Sequence, residues 1–398
     1  MSTPTHTGRA HALLGASKAS QWLNCTPSAR IQEDIKDTPS EFAEEGTVAH
    51  ELSEIKLRQY LEVNNSKQRN ALAKAMKKIK ANKYYSAEMD EHTDEYKTIV
   101  SERFSEAKSR SSDAIIQFES RLDFSEWVPD GFGTGDVIII ADSVMEIIDL
   151  KYGKGVAVSA EGNAQMRLYA LGAISEYGFL YDIQTVRMTI IQPRLDSVST
   201  DEMSVEDLLK WADEVVRPKA KLAEAGEGEF VPGDHCRWCK VNATCRARAE
   251  VNLEMAKYEF QEPPLLSVEE IGEILYRAEA LQKWASDIQS YAFEQAEKHG
   301  VKIPGWKLVE GRSNRTYTDK QAVAETLIIE GYEEDKIYKP RDILGITDME
   351  KTIGKKLFAD LLDGLVIKPA GKPVLVSEND SRPELNSAAS AAADFAEE

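Results

Sequence analysis

The chain has little cysteine and no long apolar run. Among its 398 residues there are four cysteines, and the longest apolar stretch is Val137–Ala141. A membrane span needs about 20 such residues, and the N-terminus lacks the apolar segment of a secretory signal. The expectation is therefore a cytoplasmic chain with no membrane partner. Hydrophobic residues make up 42% of the sequence, enough for a large core that needs no disulfide staples. Positive charge is also short: 49 Lys and Arg against 68 Asp and Glu leave a net charge of −19. That balance excludes a general polyanion binder but leaves room for a local basic groove.

Two stretches run against the acidic balance. Residues 67–83, "KQRNALAKAMKKIKANK", hold seven Lys or Arg and no acid, with Lys77 and Lys78 side by side. Residues 235–249, "HCRWCKVNATCRARA", hold four more, Arg237, Lys240, Arg246 and Arg248. Each reads either as part of a nucleic-acid path or as a solvated helix face.

Periodicity predicts the order of elements. Residues 1–39 are expected to be loose apart from a short helix at "SKASQWLNC", followed by helices over 40–62, 66–82 and 87–110, with Ser40 as a cap. Three strand-like runs, 114–122, 134–141 and 144–150, come next, the last two joined by a turn at Asp142-Ser143. A helix over 161–177, a strand over 183–193 and a helix over 204–225 follow. A hairpin-rich start with a helical crossover implies a mixed sheet packed by helices. Pro263-Pro264 marks a boundary, which divides the chain into 1–258, a smaller α/β region over 265–376 and an acidic, disordered tail over 377–398.

The stretch "GFGTGDVIIIADSVMEIIDLKYGKG" carries Asp136 and Asp149 at the two ends of an apolar hairpin, with Lys151 two places on. Alternate strand residues face one side, so Asp149 and Lys151 project together, and hairpin pairing can bring Asp136 beside them. Two carboxylates and a lysine suit a hard cation, Mg²⁺ or Mn²⁺, and metal-assisted phosphodiester hydrolysis. A strand-end salt bridge is the plainer alternative. His50 lies on the helix before the sheet, and Gln165 and Tyr169 share one face of the helix after it.

In order, "EEGTVAH", "GTGD", "IDLK" and "QMRLY" resemble the motifs of the PD-(D/E)XK nuclease superfamily, specifically its RecB-like branch. The stretch "GTGD…IDLKYGKGV" also resembles a phage and prophage family of RecB-like proteins. The resemblance covers roughly residues 15–250 and implies a restriction-endonuclease-like core with helical insertions. It implies that His50, Asp136, Asp149 and the Leu150 carbonyl bind the metal, that Lys151 is catalytic, and that Gln165 and Tyr169 hold the lysine or the DNA backbone. Asp149 stands where many relatives have Glu.

Cys236, Cys239 and Cys245 form C-x2-C-x5-C, and Cys25 lies 211 positions before Cys236. Four thiolates can hold a [4Fe-4S] cluster; Zn²⁺ is the chemical alternative, with His235 as a competing ligand. RecB-like nucleases with one cysteine before the core and three after it favour the cluster. The expected function is a Mg²⁺- or Mn²⁺-dependent deoxyribonuclease, an exonuclease acting on DNA in phage recombination or replication within a bacterial host. The rival readings are a non-cleaving DNA- or partner-binding module and a zinc-stabilised interaction protein.

Overall fold

Each long helix of the first half begins on a side chain that caps it. Ser40, Asn65, Ser86 and Asn163 accept hydrogen bonds from the backbone amides of Ala43, Gln68, Met89 and Met166, satisfying donors that the first helical turn leaves open. The helices they open are α3 (Glu41–Leu61), α4 (Ser66–Lys80), α5 (Ala87–Arg110) and α6 (Ala164–Tyr177). The structure, a computed structural model, describes residues 12–36, 40–63, 65–254, 268–309, 319–329 and 345–354, and positions 334, 357, 358, 361, 362, 365 and 366. The chain divides into two compact units, Met1–Ala292 and Phe293–Glu398.

The first unit is built on a five-stranded mixed sheet in chain order: β1 (Ile115–Asp123), β2 (Phe132–Ala141), β3 (Val144–Leu150), β4 (Thr185–Gln192) and β5 (Ser197–Ser204). All neighbours are antiparallel except β3 and β4, which run parallel and are joined by α6, as a parallel pair requires. Alternation sorts the apolar residues onto two faces. Ile138, Ile140, Met145 and Ile147 pack with α6, and Val137, Ile139 and Ile148 pack with Tyr96, Val100 and Phe104 of α5. The sheet is thus the middle of three layers.

The structure departs from the sequence reading in three places. Residues 12–36 are not loose: the short helices α1 (Ala19–Asn24) and α2 (Ser28–Ile31) lie in this stretch, and Leu14, Trp22 and Leu23 join the core on the α6 side. Burying one such large apolar side chain contributes about 2–3 kcal/mol, enough to fix a segment too short to show periodicity. Strand β5 was not expected, because "SVSTDEMS" is almost entirely polar; it is a half-buried edge strand paired only to β4. It is followed by α7 (Val205–Trp211), a π-helical turn over Ala212–Val216, and α8 (Arg217–Ala225). Among the described residues of 301–376 there is helix and no strand. The expected tail over 377–398 and the boundary at Pro263-Pro264 lie outside the described residues.

Four further helices complete the description. They are α9 (Arg246–Glu254), α10 (Val268–His299) and, in the second unit, α11 (Lys320–Ile329), followed there by α12 (Ile346–Ile353).

Candidate metal centre and cysteine cavity

The β2–β3 hairpin turns on Asp142, whose φ of 55° suits a tight two-residue connection between Ala141 and Val144. The turn sets the register, and the ladder runs on to Val137 opposite Ile148. One step further, Asp136 faces Asp149. The Leu150 amide donates to Asp136 Oδ2 at 2.7 Å, which locks the carboxylate against the neighbouring strand.

Four side chains then close around the two aspartates. Lys151 Nζ lies 2.8 Å from Asp149 Oδ2. It also donates to Gln165 Oε1 at 3.2 Å, and Gln165 Nε2 donates to Tyr169 Oη at 3.0 Å. From α3, His50 Nδ1 reaches to 3.2 Å of Asp136 Oδ2. Tyr169 fits because position 133 is glycine: a Cβ there would stand 2.6 Å from a ring carbon of Tyr169. His50, Asp136, Asp149, Lys151, Gln165 and Tyr169 are therefore brought to one place.

Burial and charge compete in this cluster. Burial raises the Asp149 carboxyl, and Asp136 adds to this against the pull of Lys151. Burial also disfavours charge on Asp136, but His50 and the Leu150 amide outweigh it and hold that carboxyl low. On His50 the same contest ends with the imidazole raised to about 9, because Asp136 overcomes burial. Lys151 is raised too, Asp149 outweighing desolvation. Asp149 is 3% exposed, and its Oδ2 is engaged by the Lys151 ammonium.

Sequence reasoning missed Glu119. Its carboxylate lies in the same group as His50 and Asp136, the ligand atoms of all three within 4.8 Å of one another. Burial, then the Asp136 charge, raise Glu119 to about 7. The available signal was a lone acid inside the strand "AIIQFESRL", one that simple alternation gave no reason to turn toward Asp136.

The four cysteines line one cavity together with Ile31, Phe230 and Val231. Cys25 follows α1, Cys236 lies in a 3-10 turn over Asp234–Trp238 that Cys239 ends, and Cys245 precedes α9. Burial, with the other three cysteines nearby, pushes the Cys239 thiol up to about 11. Among the described residues no three of the thiol sulfurs lie within 4.8 Å of one another. His235 Nε2 is 2.9 Å from the Val231 carbonyl oxygen. Two hydrogen bonds join the same chain segments: Thr26 Oγ1 donates to the Glu227 carbonyl at 2.6 Å, and the Lys240 amide donates to Gln32 Oε1 at 2.8 Å.

The basic residues separate into two kinds. Lys77, Lys78, Arg237 and Arg246 are exposed. Lys240 Nζ donates to the Ile35 carbonyl. Arg248 is buried, with Nη1 at 2.6 Å from Asp287 Oδ2 and 3.2 Å from the Asn242 carbonyl. It holds α9 to α10 and does not face solvent, contrary to the expectation from sequence.

Among solved structures the chain is similar to that of SSO0001, at 13% identity over 57% of this chain and 96% of that one, with a TM-score of 0.23. A far longer match comes from a family that covers residues 11–383. On that match the chain belongs to the family described as "Protein of unknown function (DUF2800)".

Proposed function

We propose that this protein is a metal-dependent deoxyribonuclease with a restriction-endonuclease-like core. It hydrolyses DNA phosphodiester bonds as an exonuclease, within a bacterial host, in phage recombination or replication. The observation that carries the reading is Lys151 Nζ at 2.8 Å from a buried Asp149, with Asp136 one register step beyond the hairpin ladder. A salt bridge alone needs one carboxylate. A second, buried beside it and tied to the Leu150 amide, adds repulsion that His50 and Lys151 oppose and that a bound divalent cation would offset further.

His50, Asp136, Asp149 and the Leu150 carbonyl would hold Mg²⁺ or Mn²⁺: the three oxygen ligands are hard donors of the type such ions prefer, and the imidazole would add a borderline nitrogen. The buried, mutually repelling carboxyls of Asp136 and Asp149 fit that role. When bound, the cation supplies Lewis-acid activation of water and of the phosphate. Lys151 orients the attacking water and offsets negative charge as the new P–O bond forms and the old one breaks. Gln165 restrains the ammonium, and Tyr169 restrains Gln165.

The four cysteines would hold a [4Fe-4S] cluster that closes the N-terminal segment onto the end of the core. All four line one cavity, and the C-x2-C-x5-C spacing of Cys236, Cys239 and Cys245 supports a cluster over zinc.

The test is incubation of end-labelled single- and double-stranded DNA with Mg²⁺, Mn²⁺ or EDTA. Wild-type protein should cleave with either cation and not with EDTA. Asp136→Asn, Asp149→Asn and Lys151→Ala should each lose at least about 10²-fold in rate while keeping the circular dichroism of the fold. Absence of metal-dependent cleavage by the wild type on every DNA would reject the reading.

A further inference from the structure

Glu119 occupies an unusual place on the sheet. It is a non-glycine residue with φ 50° in the middle of a strand, a left-handed conformation disfavoured for any residue with a Cβ. The ladder skips it: Phe118 pairs with Val137 and Ser120 with Gly135, so Glu119 stands opposite Asp136. The two paired strands exchange faces around this point. Phe118 and Val137 belong to the core on the α5 side, whereas Leu122 belongs to the core on the α6 side and its partner Gly133 abuts Tyr169. Strict alternation would keep Phe118 and Leu122 on one face. The left-handed turn at Glu119 breaks it and sets a carboxylate against the Asp136 carboxylate.

Among the described residues no cation forms an ion pair with Glu119. His50 and Arg58 only partly offset its charge, and Arg58 is committed to Glu54 and Glu62, each at 2.7 Å, and to the Phe118 carbonyl. Yet Glu119, His50 and Asp136 converge on a small cavity of about 10 Å³, close to the size that holds one water or ion. Two hydroxyls also line it: Ser53, 2% exposed, and Tyr96, 1% exposed. Neither hydroxyl oxygen has a hydrogen-bond partner. Buried polar atoms are rarely left unsatisfied, and two around one cavity point to an occupant.

We infer that Glu119 is a direct ligand of the divalent cation that His50 and Asp136 bind, a third carboxylate in the centre, with Ser53 and Tyr96 facing the ion or a water on it. This rests on the proposed cation site and adds a ligand to it. Donors around one Mg²⁺ at about 2.1 Å lie about 3.0 Å apart when adjacent and 4.2 Å apart when opposed. A group already within 4.8 Å needs only a slight contraction. The turn at Glu119 then serves the cation: it is the local break that points the carboxylate inward.

The test is Mn²⁺ binding to EDTA-stripped protein by isothermal titration, together with thermal melting without metal. Glu119→Gln should weaken Mn²⁺ binding at least tenfold. Without metal it should melt no lower than wild type, because it removes one of two repelling carboxylates. Glu119→Asp, which keeps the charge, should bind Mn²⁺ more tightly than Glu119→Gln. Wild-type Mn²⁺ affinity in folded Glu119→Gln would overturn the inference and leave the nuclease reading intact. No Mn²⁺ binding by the wild type would overturn both. If Glu119→Gln fails to fold, equal Mn²⁺ affinity in Glu119→Gly and Glu119→Asp overturns the inference.

Discussion

Lys151 Nζ lies 2.8 Å from Asp149 Oδ2, with only Leu150 between the two residues in sequence. Asp149 lies on β3 and Lys151 one residue past its end, and continued alternation keeps both on one side of the sheet. Each group depends on the other. Burial pushes Asp149 toward its neutral form, Lys151 opposes that push, and Asp149 in turn keeps the ammonium charged. Gln165 limits how far the lysine can swing, because Nζ also donates to its Oε1.

That restraint predicts a graded pair of variants. Gln165→Ala removes the hydrogen bond to Lys151, and Tyr169→Phe removes the one that steadies Gln165. Gln165→Ala should slow cleavage on the order of fivefold, the equivalent of one hydrogen bond of about 1 kcal/mol, and Tyr169→Phe should slow it less. Mn²⁺ affinity should stay near wild type in both. Single-turnover cleavage and metal titration check this; full activity in Gln165→Ala would remove it from the arrangement of the lysine.

His50 predicts a pH dependence in metal-free protein. Its imidazole is raised from the ordinary 6.5 to about 9 by Asp136, despite burial. A base whose folded value is raised binds its proton more tightly when folded, so its contribution is fully present below the unfolded value. It is lost as pH rises from about 6.5 through about 9. Melting in EDTA should therefore weaken over that window, and His50→Gln should flatten the slope. An unchanged slope in His50→Gln would assign the effect to other groups.

The cysteine cavity predicts colour and stoichiometry. Anaerobically purified protein should be brown and contain about four irons per chain. Cys25→Ser should bleach it as thoroughly as Cys239→Ser, since both line the same cavity. Stability should fall, because the loop between Cys25 and Cys236 regains closure entropy. The fall should be incomplete, because Thr26–Glu227 and Gln32–Lys240 hydrogen bonds still join these segments. Stoichiometric zinc without iron, by metal analysis, would replace the cluster.

Exposed basic residues predict the salt dependence of DNA binding. Lys77, Lys78, Arg237 and Arg246 are open to solvent, whereas Arg248 is held by Asp287. Charge reversal at Lys77 and Lys78, or at Arg237 and Arg246, should weaken binding and lower the slope of log affinity against log salt by about 1–2. Arg248→Ala should instead lower the melting temperature by detaching α9 from α10. Fluorescence anisotropy at several salt concentrations, with melting curves alongside, separates the two effects.

What the sequence determined by itself was whatever depends on local spacing. The β-branched apolar runs Val137–Ala141 and Met145–Leu150 forced two strands, Asp142-Ser143 forced the turn between them, and that turn set the register that carries Asp136 and Asp149 to one step beyond the Val137–Ile148 pair. The four-residue spacing of Gln165 and Tyr169 put both on one helix face, where they hydrogen-bond. Tertiary structure decided what depends on contacts distant in the chain. Trp22 and Leu14 are ordered because a core built mainly from residues after 120 receives them. Polar β5 is a strand because β4 offers it an edge. Arg248 looked like part of a basic patch until Asp287, 39 positions on, claimed it. Glu119 joins His50 and Asp136 because one left-handed residue reverses the faces of two paired strands. Periodicity reports only which face a residue should take, and at Glu119 the backbone departs from the period.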